Sequence, residues 1–404
     1  MTGVSPPASA ALINNKISAF KIEKRVRIAY HCLSDMKKLA VKTAVLVLRL
    51  IYLMFAPVRL RDRVLILSRQ SDTPGQDITL IADELARRGV SVTVMCRTVG
   101  HGFTGKLRYC GHILRQLPKL ASSKLIVLDG YCVAVSVLPK KKGQVVVQIW
   151  HAMAAIKKFG WQNTEKPDGH SRALAEALCM HRGYDYVLAP SAVTGKAFAE
   201  AFRVSEDKLV KLCLPRVDAL KAPADRTNRA IEDAYPSLRG RIPVLYVPTF
   251  RKNTSLKLDT LVAGFDHEHF ALIIKKHFLD ENDYSWAISR GAIVDTAFSS
   301  ADWLRCCRKV ITDYSAICVE AAVLGKELYI LQNDLNSYSD KVGLNVRLEN
   351  EDIGHYVCRG EKELFKLLAE PYDAQALYRF TQKFIEAPTD DCTGRLCGFL
   401  AGLL

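Results

Sequence analysis

Five apolar runs in this 404-residue chain end in residues that could bind or move charge. Val145–Ile149 leads into Trp150, His151, Ala152, Met153, Ala154, Lys157 and Gly160. Another run is followed by Pro215, Arg216 and Asp218, and Val244–Val247 by Pro248, Thr249 and Arg251. Ala271–Ile274 leads into Lys275, Lys276 and His277. Lys309–Ile311 leads into Thr312, Asp313, Tyr314, Ser315 and Ala316, and then a short helical pattern carrying Glu320. A histidine ordinarily titrates near neutral pH, so it can take a proton. Arginine, lysine, threonine and serine donate to phosphate oxygens. Taken singly, each cluster is explained by turn chemistry or helix capping, as at Ser315. Five together point to an anionic, phosphate-bearing ligand.

The elements that must position these residues are strands. Val64–Ser68, Val92–Cys96, Leu125–Asp129, Val145–Ile149 and Tyr186–Ala189 are short apolar runs separated by helical patterns such as Asp77–Arg88. Continuous apolar strands alternating with helices predict a parallel sheet covered on both faces. A second series, Val244–Val247, Ala271–Lys275, Lys309–Thr312 and Leu328–Leu331, follows a polar, proline-bearing stretch at 221–243. We expect an α/β protein of two Rossmann-like domains facing a cleft. The divisions fall at 1–63 (basic segment), 64–225 (first domain) and 226–404 (second domain with C-terminal helices). Doubly wound sheets bind ligands outside the carboxyl ends of their strands, where all five clusters lie.

Charge and composition narrow the function. The net charge is +15, and it is concentrated. Residues 1–63 carry 12 Lys+Arg against Glu23, Asp35 and Asp62, a net +9, and residues 101–143 carry 8 against Asp129, a net +7. Nucleic-acid readers interleave such stripes with exposed aromatics or a reading motif, neither of which is found, so an anionic membrane surface is the expected partner and nucleic acid is not. Residues 39–58 read as an in-plane amphipathic helix. Lys38, Lys42 and Arg49 form one face; Val45, Leu46, Leu48, Ile51, Tyr52 and Phe55 form the other. The competing reading packs that helix on the protein's own core. Residues 1–15 read as a disordered lead-in, and no signal-peptide cleavage pattern follows the apolar run. The twelve cysteines show no C-x-x-C and read as reduced thiols. The phosphate-binding P-loop, the dinucleotide glycine fingerprint, the zinc-protease and hydrolase motifs and D-x-D are absent, so neither a cofactor nor a metal is expected.

With these blocks in this order, the chain resembles the CDP-glycerol glycerophosphotransferases, the teichoic-acid primases and polymerases. The family blocks correspond to Gln148, Trp150, His151, Lys157 and Gly160; to Pro215, Arg216 and Asp218; to Pro248, Thr249 and Arg251; to Lys275 and His277; and to Thr312–Ser315 with Glu320. Three positions depart from the pattern: Ala152 stands for Gly, Phe278 for Pro and Ala316 for Ser. The resemblance implies a GT-B fold and transfer of a polyol phosphate, glycerol phosphate first, from a CDP-polyol to a hydroxyl of a lipid-linked glycan, with release of CMP. It implies His151 as general base and His277 as a second catalytic histidine. Trp150, Ala152, Met153, Ala154, Lys157, Arg216, Pro248, Thr249, Arg251, Lys275, Asp313, Ser315, Ala316 and Glu320 would then line the substrates. The enzyme would sit peripherally on the cytoplasmic face of the cell membrane, and a homo-oligomer is compatible with the sequence. A CDP-ribitol or other alditol-phosphate transferase, a GT-B nucleotide-sugar glycosyltransferase and an inactive membrane scaffold are the alternatives.

Overall fold

The computed structural model describes residues 38–100, 102–249, 251, 258–276, 280 and 282–404. The expected lead-in at 1–15, His277 and Phe278 lie outside them. Among the described residues, twelve strands form two six-stranded parallel sheets. The first contains β1 (Arg61–Ser68), β2 (Ser91–Cys96), β3 (Ser123–Leu128), β4 (Val145–Gln148), β5 (Tyr186–Ala189) and β6 (Leu209–Lys211), ordered β2-β1-β3-β4-β5-β6. The second contains β7 (Ile242–Tyr246), β8 (Phe270–Lys275), β9 (Ile293–Asp295), β10 (Lys309–Thr312), β11 (Glu327–Leu331) and β12 (Val357–Cys358), ordered β12-β11-β10-β7-β8-β9. Val64, Leu65, Ile66, Val146, Val147, Val244, Leu245, Val310 and Ile311 are almost wholly buried, as strands covered on both faces require.

Each sheet has a point where the chain reverses direction across the strand order. In the first it lies between β1 and β3, in the second between β7 and β10. At such a point two neighbouring strands send their following loops opposite ways and leave a crevice. Ser68 and Asp129 flank the first crevice, Thr249 and Asp313 the second, and a hydrogen bond spans each: Ser68 Oγ to Asp129 at 2.6 Å and Thr249 Oγ1 to Asp313 at 2.7 Å.

The two halves are stitched together. Residues 156–158 run beside 343–346: Lys158 N donates to Gly343 O and Asn345 N to Ile156 O. The helix Cys392–Ala401 returns to pack on the helix Gln76–Arg87 of the first half. Asp218 accepts from the backbone N–H groups of Cys392 and Thr393 at 2.9 and 2.7 Å, which satisfies the first donors of that returning helix.

Residues 38–53 are helical. Val45 and Tyr52 are buried against the first sheet's core, with Val41, Leu48, Ile51 and Phe55 packed beside them, and Arg49 Nε donates to Val137 O at 2.8 Å. Most of the face expected to meet lipid therefore covers the protein's own core. A different face, with Leu39, Leu46, Val47, Leu50 and Leu53, is exposed, as is Met54. No described helix is long and apolar enough to cross a membrane.

Candidate active site

His151 follows β4 and is half-buried. The turn that presents it is held by Gln148, whose Nε2 donates to Gly130 O at 3.0 Å and whose Oε1 accepts the Trp150 N–H at 2.9 Å. Trp150 adopts φ +57°, a left-handed conformation costing a non-glycine residue roughly 1–2 kcal/mol. Its indole stacks on Phe159 (4.7 Å between centroids) and packs edge-on to Phe202 (5.2 Å), which holds the turn in place. Trp150 is thus a positioning residue for its neighbour. Gly160 has φ +57°, and a Cβ there would lie 2.4 Å from Ala201 O, so only glycine fits.

The backbone carbonyl of Asp129 lies 2.9 Å from His151 Nδ1. A carbonyl can only accept, so Nδ1 carries the proton and the Nε2 lone pair is left free. Gln70 Nε2 also lies 3.1 Å from Nδ1; a flip of the carboxamide would turn its oxygen to the Nδ1 proton. Burial, with smaller contributions from Arg216, Arg69 and Lys157, lowers the His151 pKa to about 4, well below the near-neutral value expected of a free histidine. Asp129 moves the other way, up to about 6, chiefly through burial.

The cations expected to hold phosphate fall into two groups. Arg216 Nε and Nη2 bind Asp77, its N–H binds Asp77 Oδ1 at 2.8 Å, and Nη1 binds Glu320 at 2.9 Å. Arg251 binds Asp313 at 2.8 Å and Asp334 at 2.9 Å and donates to Thr249 O, beside the stacked Tyr314 and Tyr338 rings. The Lys275 ammonium is anchored to Asp295 at 3.0 Å and to the carbonyls of Asp295 and Phe298. These three side chains brace the cleft walls, and carboxylates and carbonyls engage all three. Glu320 is likewise engaged by Arg216, across the two halves.

Lys157 differs. It has no ion-pair or hydrogen-bond partner for its ammonium among the described residues. Burial lowers its pKa, the Asp313 carboxylate opposes that, and Arg251 adds to it. An unpaired, desolvated cation near Asp313 is a ready anion site. Ser315 is half-buried, its hydroxyl accepting weakly from Ile317 N–H at 3.4 Å, and Ala316 lies beside it. Met153 and Ala154 are 1% and 3% exposed within the core, so their side chains cannot meet a substrate. Pro248 and Thr249 are buried, and Ala152 is half-buried. Arg69, Gln70, Asp77, Asp129 and Asp334 were missed by sequence reasoning. All but Asp77, on the first turn of its helix, directly follow strands, which was the available signal. No cluster of three or more His, Cys, Asp or Glu suited to a metal occurs among the described residues.

Two parallel-sheet domains, each with a crevice at its reversal point, define a GT-B-like α/β fold. The sequence profile for CDP-Glycerol:Poly(glycerophosphate) glycerophosphotransferase matches residues 52–400, and the chain belongs to that family. It is an enzyme of the CDP-polyol phosphotransferase type. It is 28% identical to the teichoic acid ribitol-phosphate primase of Bacillus spizizenii, over 69% of this chain and 74% of that protein. It is 26% identical to the teichoic acid glycerol-phosphate primase of Bacillus subtilis, over 72% and 77%. The fold superposes on the wall teichoic acid polymerase TagF with a TM-score of 0.68 at 13% identity, covering 92% of this chain and 97% of that one. The UDP-GlcNAc 2-epimerase of Neisseria meningitidis gives 0.55 at 10% identity, covering 85% and 100%.

Proposed function

We propose that this enzyme transfers glycerol phosphate from CDP-glycerol to a hydroxyl of a lipid-linked acceptor, releasing CMP, as a primase-type step in teichoic-acid synthesis. CDP-ribitol is the second donor to consider, because relatives named for ribitol and for glycerol match at similar identity. The observation that carries the reading is the His151 arrangement: a neutral imidazole at a strand end, its Nδ1–H fixed by Asp129 O and its Nε2 free. In the reaction, Nε2 takes the proton of the acceptor hydroxyl as its oxygen attacks the glycerol-bearing phosphorus. The bond from that phosphorus to the bridging oxygen breaks, and CMP leaves with the electron pair. A phosphodiester is formed and His151 is left protonated. Phosphoryl transfer needs positioning and countercharge more than covalent help. Lys157 supplies countercharge to the pyrophosphate, Thr249, Ser315 and the backbone at Ala316 line the donor crevice, and His277 is the second catalytic histidine.

We further propose that the exposed face of the helix at 38–53 rests on an anionic membrane, with Lys38, Lys42, Arg59 and Arg61 at its margin. Co-sedimentation with vesicles containing anionic lipid tests it: Leu46→Glu with Leu50→Glu should release the protein, and added salt should weaken binding. Unchanged sedimentation of that variant would exclude this face. The transfer itself is tested by CMP release from CDP-glycerol and CDP-ribitol offered separately with a membrane acceptor; release from neither would exclude the reaction.

A further inference from the structure

We infer that Arg69 grips a phosphate group of the acceptor, so that the enzyme selects acceptors carrying an anionic phosphate close to the reacting hydroxyl. This rests on the assignment of His151 as the base. Arg69 directly follows β1, and Tyr131 lies just beyond β3, so the pair stands over the crevice at the first sheet's reversal point. The Arg69 guanidinium lies 5.3 Å from the centre of the Tyr131 ring. That ring is fixed by its own hydroxyl, which donates to Leu178 O at 2.8 Å, and by the edge of His181, with centroids 5.4 Å apart. Stacking orients a guanidinium and leaves its N–H fork open for a planar or tetrahedral oxyanion.

The cleft arginines Arg216 and Arg251 each hold two carboxylates: Arg216 has Asp77 and Glu320, and Arg251 has Asp313 and Asp334. Arg69 has no carboxylate partner among the described residues. The acidic groups of its own neighbourhood do not pair with it. Asp72 accepts from Thr98 N at 2.8 Å and Thr98 Oγ1 at 2.6 Å, and Asp129 accepts from Ser68 through Oδ2 while its Oδ1 is buried without a partner. A half-buried cation without a counterion is completed by an anionic ligand. The adjacent residue, Gln70, touches His151, so an anion on Arg69 sits on the same side of the cleft as the base. The donor crevice, at Thr249 and Asp313, belongs to the other sheet. The phosphate on Arg69 is therefore the acceptor's.

The test compares full-length wild type with Arg69→Met and Arg69→Lys. Two soluble acceptors of equal length are used, one with a phosphodiester next to the terminal hydroxyl and one with a neutral linkage. Acceptor binding is measured by titration without donor, CDP-glycerol binding separately, and turnover with both. The inference expects Arg69→Met to weaken binding and raise KM for the phosphodiester acceptor about ten- to a hundred-fold, the worth of one charge-assisted contact. Binding of CDP-glycerol and binding of the neutral acceptor should stay at wild-type levels, and Arg69→Lys should recover part of the loss. Unchanged phosphodiester binding, an equal loss on the neutral acceptor, or a loss confined to CDP-glycerol would overturn it, the last by moving Arg69 to the donor. Lost phosphodiester binding in an enzyme that turns over neither CDP-polyol would keep the anion site and remove the proposed reaction. Full turnover with unchanged acceptor binding would do the reverse.

Discussion

If His151 is the base, its acidity should appear in the pH dependence, and the structure places that dependence lower than a histidine normally would. Burial and the charges of Arg216, Arg69 and Lys157 bring its pKa from 6.5 to about 4. That gap favours the neutral ring by roughly 3 kcal/mol. The free enzyme then keeps a competent base at pH 5, and the acid limb of kcat/KM assigned to His151 should fall near 4. Bound donor brings a pyrophosphate whose negative charge offsets Arg216, Arg69 and Lys157, so the limb of kcat, which reports the complex, should lie higher. Asp129, pushed up to about 6, is the competing titrating group, and Asp129→Asn removes it while leaving the backbone carbonyl that holds Nδ1. The assay is initial-rate CMP release from pH 4 to 8 in wild type and Asp129→Asn. A limb in kcat/KM at 6.5 that persists in Asp129→Asn would refute the described environment of His151. Stability follows the same sign. A histidine whose folded pKa is depressed contributes fully above pH 6.5, and its contribution is lost as pH falls toward 4 because the unfolded chain takes the proton first. His151→Gln should therefore show a smaller drop in Tm between pH 7 and pH 4.5 than wild type.

Three further outcomes follow from particular contacts. Arg216→Ala should lose about 3 kcal/mol, since it strands the nearly buried Asp77, and Tm should fall accordingly; pairing it with Asp77→Asn should recover much of the loss. Lys157→Met should weaken donor binding about ten- to a hundred-fold in a titration while Tm holds or rises, because an unpaired buried cation is removed. Gly160→Ala should destabilise by about 2–4 kcal/mol in denaturant melts, combining a left-handed φ with the clash on Ala201 O.

The sheet architecture was legible because buried parallel strands announce themselves: Val145–Val147 and Leu125–Val127 are unbroken apolar runs. Ile293–Asp295 and Val357–Cys358 were missed because two or three residues at a sheet edge carry too little pattern. The site was legible as a set of strand ends but not as a set of roles. A basic residue after a strand looks the same in sequence whether it meets phosphate or a carboxylate brought from elsewhere in the fold. Arg216 meets Asp77 from 139 positions away and Glu320 from 104. Asp218 shows the same limit, since its partners at Cys392 and Thr393 come from the returning C-terminal helix. The helix at 38–53 was legible, but apolar residues cover almost all of it except the stripe of Lys38, Lys42 and Arg49, so the sequence alone did not say which face the core would take.

The central claim is that His151 Nε2 takes the acceptor proton while the donor is held elsewhere. It is tested most directly by measuring CMP release from CDP-glycerol in the presence of a hydroxyl acceptor, alongside CDP-glycerol affinity, for wild type and His151→Ala. The account predicts a loss of turnover of roughly 10²–10⁴-fold, the usual worth of a positioned base, with donor affinity within about twofold of wild type. Turnover by His151→Ala at the wild-type rate would contradict it.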